Sequence, residues 1–199
     1  RRAGFDVVII ACDAIVDDPA SGLRSATSFR TKIDPPRPDP DDSTKRVGYK
    51  ANRESPGAAF YEQQKRLVRM LRADGCHVFT GPEVEPGLYA EADDVMGWVA
   101  AKYKVAAEDD MDQGANPDHW RLQIVSGDMD MFALIDPMID ITVLSPQGGK
   151  IYDDQAVMDH PKLGVAPAKI PQLKALAGDK SDEFWPFQGP RLASGRRSP

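Results

Sequence analysis

Four short apolar runs constrain the fold of this chain most strongly. Each has the length of a strand, and they read FDVVIIA (5–11), CHVFT (76–80), RLQIVS (121–126) and ITVLSP (141–146). Continuous runs of this kind favour strands buried in a parallel sheet. Stretches with helical spacing of apolar residues lie between them, at 56–75 and 90–107. Strands that alternate with helices predict an α/β domain with a largely parallel central sheet.

Carboxylates stand at the ends of these predicted elements: after two strands, at the start of the second helix, and after a helix-like stretch, LKALAGDKSD. The eight acids are Asp13, Glu91, Asp93, Asp94, Asp128, Asp130, Asp179 and Asp182. In an open α/β sheet, ligands bind beyond the carboxyl ends of the strands. Because so many carboxylates converge only around cations, and no His or Cys accompanies them, the pattern favours Mg²⁺ or Mn²⁺ over zinc.

Each acidic group also has a purely structural interpretation. Acids at the start of a helix offset its macrodipole, and Asp-x-Asp after a strand is typical of a turn or cap. The three histidines lack the spacing of metal ligands, and Trp98 is predicted to be a core residue rather than a stacking platform. Only the ordered set of acids therefore points to a metal site.

The distribution of charge favours a polyanionic partner, although the whole chain is acidic. The 199 residues carry a formal net charge of −6. Positions 24–72 hold 12 basic and 6 acidic residues, a local net charge of +6, whereas positions 73–182 hold 8 basic and 20 acidic residues, a local net charge of −12. A metal-dependent enzyme acting on a polyanion needs both regions. A plain acidic, solvated protein is the alternative interpretation.

Other features of the sequence indicate the cellular compartment and the positions of two loops. No apolar run reaches the length of a membrane helix, no secretory signal pattern is present, and Cys12 and Cys76 are predicted to be buried thiols without a disulfide. These features favour a cytoplasmic protein. Two polar segments, 33–45 with its four prolines and 108–119, are predicted to be irregular loops.

Three motifs in this order, EADDVMGWVA, IVSGDMDMFALI and LKALAGDKSD, closely resemble those of the 5′ nuclease family. The family includes flap endonucleases and the 5′–3′ exonuclease domain of bacterial DNA polymerase I, with phage-type members. VVIIACDA is similar to the family strand that ends in a metal-binding Asp, and SFR (28–30) and YKANR (49–53) resemble its phosphate-contacting arch. The resemblance implies a PIN-like three-layer α/β domain over residues 1–182 and an atypical tail over 183–199.

By this resemblance, two divalent ions, Mg²⁺ or Mn²⁺ and about 4 Å apart, clamp the scissile phosphodiester. The first ion would be held by Asp13, Glu91 and Asp93. The second ion would be held by Asp130, Asp179 and Asp182. Between the ions, directly or through water, would lie Asp94 and Asp128.

The resemblance also implies four contacts to DNA. Lys50 and Arg53 would contact the scissile phosphate as catalytic groups that stabilise developing charge. Tyr49 would stack on a base near the cleavage point, and Arg30 would hold backbone phosphate. Without the resemblance, Lys50 and Arg53 are interpreted as solvated surface charges.

The chain departs from the family pattern at both ends. The family begins with a further strand that ends in an Asp, whereas only four residues precede Phe5 here. After GDKSD the family continues into a Gly-rich helix-hairpin-helix, whereas this chain reads EFWPFQGPRLASGRRSP. The sequence therefore predicts a nuclease domain that lacks its first strand and its C-terminal helix-hairpin-helix, with a poorly packed tail.

The predicted function is a structure-specific 5′ nuclease, a flap endonuclease or 5′–3′ exonuclease, that hydrolyses DNA phosphodiesters in replication and repair. Its partner would be DNA with a 5′ flap or 5′ end, an RNA/DNA primer included, bound by a monomer in the cytoplasm of a bacterium or a phage-infected cell. The alternative is a truncated, non-catalytic DNA-binding fragment of such a nuclease. A phosphatase with an Asp-x-Asp nucleophile is disfavoured because the first strand offers only Asp13.

Overall fold

The computed structural model describes residues 7–20, 22–39, 42–48, 50, 56–114, 116 and 120–177. Four predicted site residues and the predicted tail lie outside this part of the chain; they are Tyr49, Arg53, Asp179, Asp182 and residues 183–199. Among the described residues, no helix is both long enough and apolar enough to cross a membrane.

Two pairs of parallel strands form the centre of the fold, and all four predicted strands are present. β1 (Ile9–Cys12) pairs with β6 (His77–Thr80) over four residues. β9 (Leu122–Val125) pairs in the same way with β10 (Ile141–Leu144). β11 (Ile151–Tyr152) joins β10 on its other side and runs antiparallel to it.

The predicted single, largely parallel sheet is not seen among the described residues. These residues form a β1–β6 sheet, a β11–β10–β9 sheet and three two-stranded hairpins. β1 and β9 are therefore edge strands within the described part of the chain. The helix α3 (Ala92–Asp112) packs against β1, β6 and β9. Apolar burial under this helix, rather than a continuous hydrogen-bond ladder, joins the two parallel pairs.

Three small hairpins and a short helix that precedes the first long helix were not predicted, because their residues show neither a continuous apolar run nor helical spacing of apolar residues. The hairpins are β2 (Ile15–Asp18) with β3 (Gly22–Ser25), β4 (Arg37–Pro38) with β5 (Arg46–Val47), and β7 (Glu83–Glu85) with β8 (Leu88–Tyr89). The short helix is α1 (Arg30–Ile33). Among the described residues of 33–45, the prediction of an irregular loop is correct except at Ile33, where α1 ends, and at β4, whose two residues pair with the strand that follows the segment.

The two long predicted helices are present, and the second is longer than expected. α2 (Ala58–Ala73) ends just before Gly75, whose φ of +82° is the left-handed conformation common after helices. The predicted polar loop at 108–119 is wrong in its first part, because α3 continues to Asp112. Ala107 is fully buried and Met111, four residues on, packs against the core, so the apolar face continues through the acidic stretch.

The hydrophobic core lies between α3, the β9–β10–β11 sheet, α4 (Asp154–Met158) and α5 (Ile170–Ala177). Its buried members are Ala107, Ile124, Met131, Phe132, Ile135, Ile139, Ile141, Val143, Val157 and Ile170.

The β1–β6 half of the molecule is less well covered. Val7, Val8 and Ile9 are 40–57% exposed, although a strand buried on both faces was predicted there. Trp98, predicted to be core, is 55% exposed, so that prediction is wrong. Cys12 and Cys76 are free thiols that are half-buried.

Phe132→Ala is expected to lower the free energy of unfolding by about 3–5 kcal/mol, because it empties a well-packed site. The ring is 4% exposed and packs against Tyr152. Met138→Ala, at a side chain that is 78% exposed, is expected to change that free energy by less than about 0.5 kcal/mol. Urea unfolding followed by circular dichroism measures both changes, and equal losses in the two variants would contradict this placement of the core.

Candidate active site

The acidic N-terminus of α3 is the centre of the site. Glu91 is the N-cap residue, in extended backbone conformation, and the Asp94 carboxylate accepts a hydrogen bond from the Glu91 amide at 2.8 Å. A carboxylate at the third helical position that closes back on the N-cap amide is the arrangement of a capping box. The sequence EADD therefore sets where the helix begins, and places Asp93 beside these two acids in its first turn.

A hydrogen bond ties the end of β1 to this helix start. The carboxylate of Asp13, which directly follows β1, accepts from the Ala92 amide at 2.8 Å. The Ala92 amide is one of the first helical N–H groups, which have no partner within the helix, and a negative charge there also favours the macrodipole. Two elements 79 residues apart in the chain are thus joined at the site.

Gly81 makes a close backbone approach possible at the same place. Its amide donates to the Cys12 carbonyl at 3.0 Å, just past β6 and beside the end of β1. A Cβ atom on Gly81 would lie 1.8 Å from the Ala90 carbonyl oxygen, closer than any side chain can approach. Glycine is therefore required where the turn after β6 passes the segment that leads into α3.

Three of the predicted carboxylates act electrostatically on a fourth, Asp93. Burial raises the pKa of the Asp93 carboxyl above its ordinary value, and the negative charges of Asp128, Glu91 and Asp13 raise it further, while Arg30 lowers it. These acids come from the end of β1, the start of α3 and the turn after β9. The structure therefore gathers Asp13, Glu91, Asp93 and Asp128 into one cluster, called here the carboxylate cluster.

Two of the predicted DNA-contacting cations lie against this cluster. Arg30 bonds to the Asp94 carboxylate at 2.6 Å and to Glu91 at 3.4 Å. Lys50 bonds to the other oxygen of Glu91 at 2.6 Å. Glu91 is only 8% exposed, so its charge is costly to bury unless it is paired in this way.

The two acids after β9, Asp128 and Asp130, make different contacts. Asp128 caps the 3₁₀ helix Met129–Leu134 by accepting from the Asp130 amide at 2.9 Å. The Asp130 carboxylate forms an ion pair with Lys174 of α5. Asp128 thus stays with the carboxylate cluster, whereas Asp130 is directed toward α5.

The donor chemistry of the carboxylate cluster fits a hard divalent ion, because every side chain offers only carboxylate oxygens. Within the described ranges, however, no group of three or more His, Cys, Asp or Glu side chains is arranged to hold a metal ion. Arg30 and Lys50 supply the compensating positive charge instead. Asp94 already uses one oxygen for Arg30 and the other for the Glu91 amide.

Comparison with known proteins identifies the relationship of this chain. Residues 43–162 match the family described as 5′-3′ exonuclease, N-terminal resolvase-like domain. The chain belongs to the 5′-3′ exonuclease family. The matched range contains Glu91, Asp93 and Asp128 of the carboxylate cluster, together with Lys50, and it ends before α5.

Several relatives of this exonuclease domain are DNA polymerases I. That of Synechocystis sp. is 35% identical over 144 residues, which cover 67% of this chain and 12% of the relative. That of Mycobacterium leprae is 36% identical over 142 residues, 69% of this chain and 13% of the relative. That of Bacillus caldotenax is 32% identical over 138 residues, 68% of this chain and 14% of the relative. The chain thus spans only about one eighth of the length of the relatives it matches.

Sequence reasoning missed two residues that position the site of this exonuclease domain. Gly81 could have been noticed, because Gly-Pro directly after a predicted strand marks a turn. Lys174 carried no signal, because a lone lysine on a helix is normally a solvated charge. Its pairing with Asp130 depends on how α5 packs against the 3₁₀ helix after β9.

Gly81→Ala is expected to lower the free energy of unfolding by about 1–3 kcal/mol or more, the usual scale for forcing extra atoms into a packed site. Gly97→Ala is the matched control, because a Cβ there meets nothing within 4 Å. Alanine in the interior of α3 is expected to raise that free energy by about 0.5–1 kcal/mol. Urea unfolding of both variants checks the opposite signs, and a neutral Gly81→Ala would contradict the close approach.

Proposed function

We propose that this exonuclease domain is a metal-dependent, structure-specific 5′ nuclease that cuts DNA at a 5′ flap or 5′ end. The observation that carries the proposal is the gathering of Asp13, Glu91, Asp93 and Asp128 at one helix start, with Arg30 and Lys50 beside them. Carboxylates that hold cations, next to cations that can hold phosphate, are what phosphodiester hydrolysis requires. The family relationship supplies DNA as the substrate class.

The carboxylate cluster would hold a divalent ion, Mg²⁺ or Mn²⁺. Asp13, Glu91 and Asp93 are proposed for a first ion, with Asp128 close by. Asp130, together with Asp179 and Asp182, is proposed for a second. Bound divalent ions supply a water of lowered pKa as the nucleophile and stabilise charge on the phosphate.

The chain's own cations are proposed to move from carboxylate to phosphate partners. When the charge of Glu91 is compensated by a divalent ion, Lys50 and Arg30 become available for the anionic substrate. Lys50 and Arg53 are proposed to stabilise the phosphate as a water oxygen bonds to phosphorus and the P–O3′ bond breaks. Tyr49 is proposed to stack on a nearby base.

Asp94 is proposed to act differently from the other acids at the start of α3. One of its oxygens bonds to Arg30 and the other accepts from the Glu91 backbone amide, so Asp94 is the acid that ties Arg30 to the start of the helix. Its role would be to orient Arg30 and to hold the helix start, so that it influences an ion indirectly. A positioning role of this kind is consistent with its predicted place between the two ions.

A second candidate is a DNA-binding domain without catalysis. It is favoured by the pairing of Lys50 and Arg30 with Glu91, and by the lack of a metal-holding group of three within the described ranges. This candidate predicts binding of branched DNA in Ca²⁺ and no cleavage in Mg²⁺ or Mn²⁺. The same preparation of protein therefore tests both candidates.

Asp128→Asn is expected to reduce cleavage of a 5′-labelled flap DNA in Mg²⁺ or Mn²⁺ by about 10-fold to 100-fold, the scale on which groups that support metal sites act. Asn caps helices as well as Asp does, so the 3₁₀ helix after β9 is expected to remain folded. Product lengths on a denaturing gel measure cleavage, and the rise in Tm on adding Mg²⁺ measures ion binding independently.

Asp110→Asn is the matched control, because it removes an exposed carboxylate at the far end of α3 and should leave both readouts unchanged. Cleavage that survives Asp128→Asn would contradict the assigned site. An unaltered chain that binds the flap but never cuts it would favour the second candidate.

A further inference from the structure

An apolar cleft opens beside the carboxylate cluster. It has a volume of about 350 Å³, within the range of small-ligand sites. Its two aromatic lining residues are Phe79 of β6 and Trp98 of α3, so it is called here the Phe79–Trp98 cleft. Its remaining lining residues are Thr80, Pro82, Ala90, Asp94 and Val95.

The two aromatic walls are far more exposed than their sequence positions predict. Trp98 is 55% exposed and Phe79 is 42% exposed, whereas Val95, one helical turn before Trp98, is 7% exposed. Large aromatic rings left in water forgo a favourable burial that a flat ligand would supply. The cleft is concave rather than flat, which favours a small ring system over a broad protein surface.

The polar groups of the cleft are few and stand among apolar walls. The Thr80 hydroxyl can both donate and accept a hydrogen bond. The Asp94 carboxylate is neutralised by Arg30 at 2.6 Å and accepts from the Glu91 amide, so it does not repel a nearby anion as a free carboxylate would. Aromatic faces, one hydroxyl and an adjacent guanidinium match a nucleobase with its attached phosphate.

The cleft lies next to the carboxylate cluster, because Arg30 pairs both with Glu91 of the cluster and with Asp94 of the cleft lining. Asp94 lines the cleft, and its neighbour Asp93 belongs to the cluster. Trp98 lies one helical turn further along the same helix. A nucleotide whose phosphate lies near Arg30 can therefore place its base in the cleft, against Trp98.

We propose that the Phe79–Trp98 cleft binds one unpaired nucleobase of a DNA strand that lies at the carboxylate cluster. The base stacks on Trp98 and directs its edge toward Thr80. Stacking on an aromatic face is tolerant of sequence because every base has a π-face. This inference rests on DNA being the partner, as in the proposed function, but not on cleavage.

Trp98→Ala is expected to weaken binding of flap DNA in Ca²⁺ by about 5-fold to 150-fold, the range for loss of one base stacked on an aromatic side chain. Phe79→Ala should act in the same direction. Trp98→Phe keeps an aromatic face and should bind within about 3-fold of the unaltered chain. Val105→Ala, at a side chain on the same helix that is 56% exposed, is the control and should bind normally. Fluorescence anisotropy measures binding, and thermal unfolding verifies that each variant is folded.

Base stacking is separated from phosphate binding by fluorescence. The chain has three tryptophans, so Trp120→Phe with Trp185→Phe leaves Trp98 as the sole indole. Addition of oligo(dT) in Ca²⁺ should quench the fluorescence of Trp98. An oligomer of the same length with abasic sites should bind through its phosphates and cause little quenching.

These measurements distinguish failure of the cleft proposal from failure of the proposed nuclease function. Base-dependent quenching without cleavage would leave the cleft assignment standing and overturn the nuclease function. Cleavage with equal quenching by both oligomers, or with Trp98→Ala binding normally, would overturn the cleft assignment alone. An unaltered chain that binds no DNA would overturn both proposals.

Discussion

The hydrogen bond from the Ala92 amide to the Asp13 carboxylate holds the candidate site together. It joins the end of the first parallel strand to the start of α3, and Gly81 lets the backbone of the neighbouring turn come close enough for this contact. The other acids of the cluster meet at the same place because α3 carries Glu91 and Asp93 and also packs against β9, which leads to Asp128. The site therefore exists only where two parallel strand pairs meet under one helix.

Like charges gathered at one point need compensation, and the structure shows how this is achieved. Arg30 and Lys50 bond to the most buried acid, Glu91, and Asp94 shares Arg30 with it. These contacts are between partly buried groups, where an unpaired charge costs more than it would in water. The same cations that stabilise the folded chain are thus placed to respond when a divalent ion or a phosphate enters the cluster. The ion pairs of Arg30 and Lys50 therefore contribute both to the stability of the fold and to the proposed phosphate binding.

How far prediction succeeded differs between elements for physical reasons. The four strands and the two long helices follow from apolar periodicity, a local property that tertiary packing here reinforces. The end of α3 was placed too early, because Met111 packs against the core although its neighbours in sequence are acidic. The short hairpins were missed because their strands lack the continuous apolar runs in which the four predicted strands lie. Trp98 was misjudged because helical spacing indicates which face a residue occupies, not whether another element covers that face.

By itself, the sequence determined the α/β class, the order of the acidic motifs and their resemblance to a 5′ nuclease family, because these depend on residues close together in the chain. Only the tertiary structure decided which acids meet. It placed Asp13, Glu91, Asp93 and Asp128 together, turned Asp130 toward Lys174, and left a cleft between Phe79 and Trp98. The physical reason is that these contacts join residues far apart in sequence, and their distances depend on how helices pack on strands rather than on any local pattern.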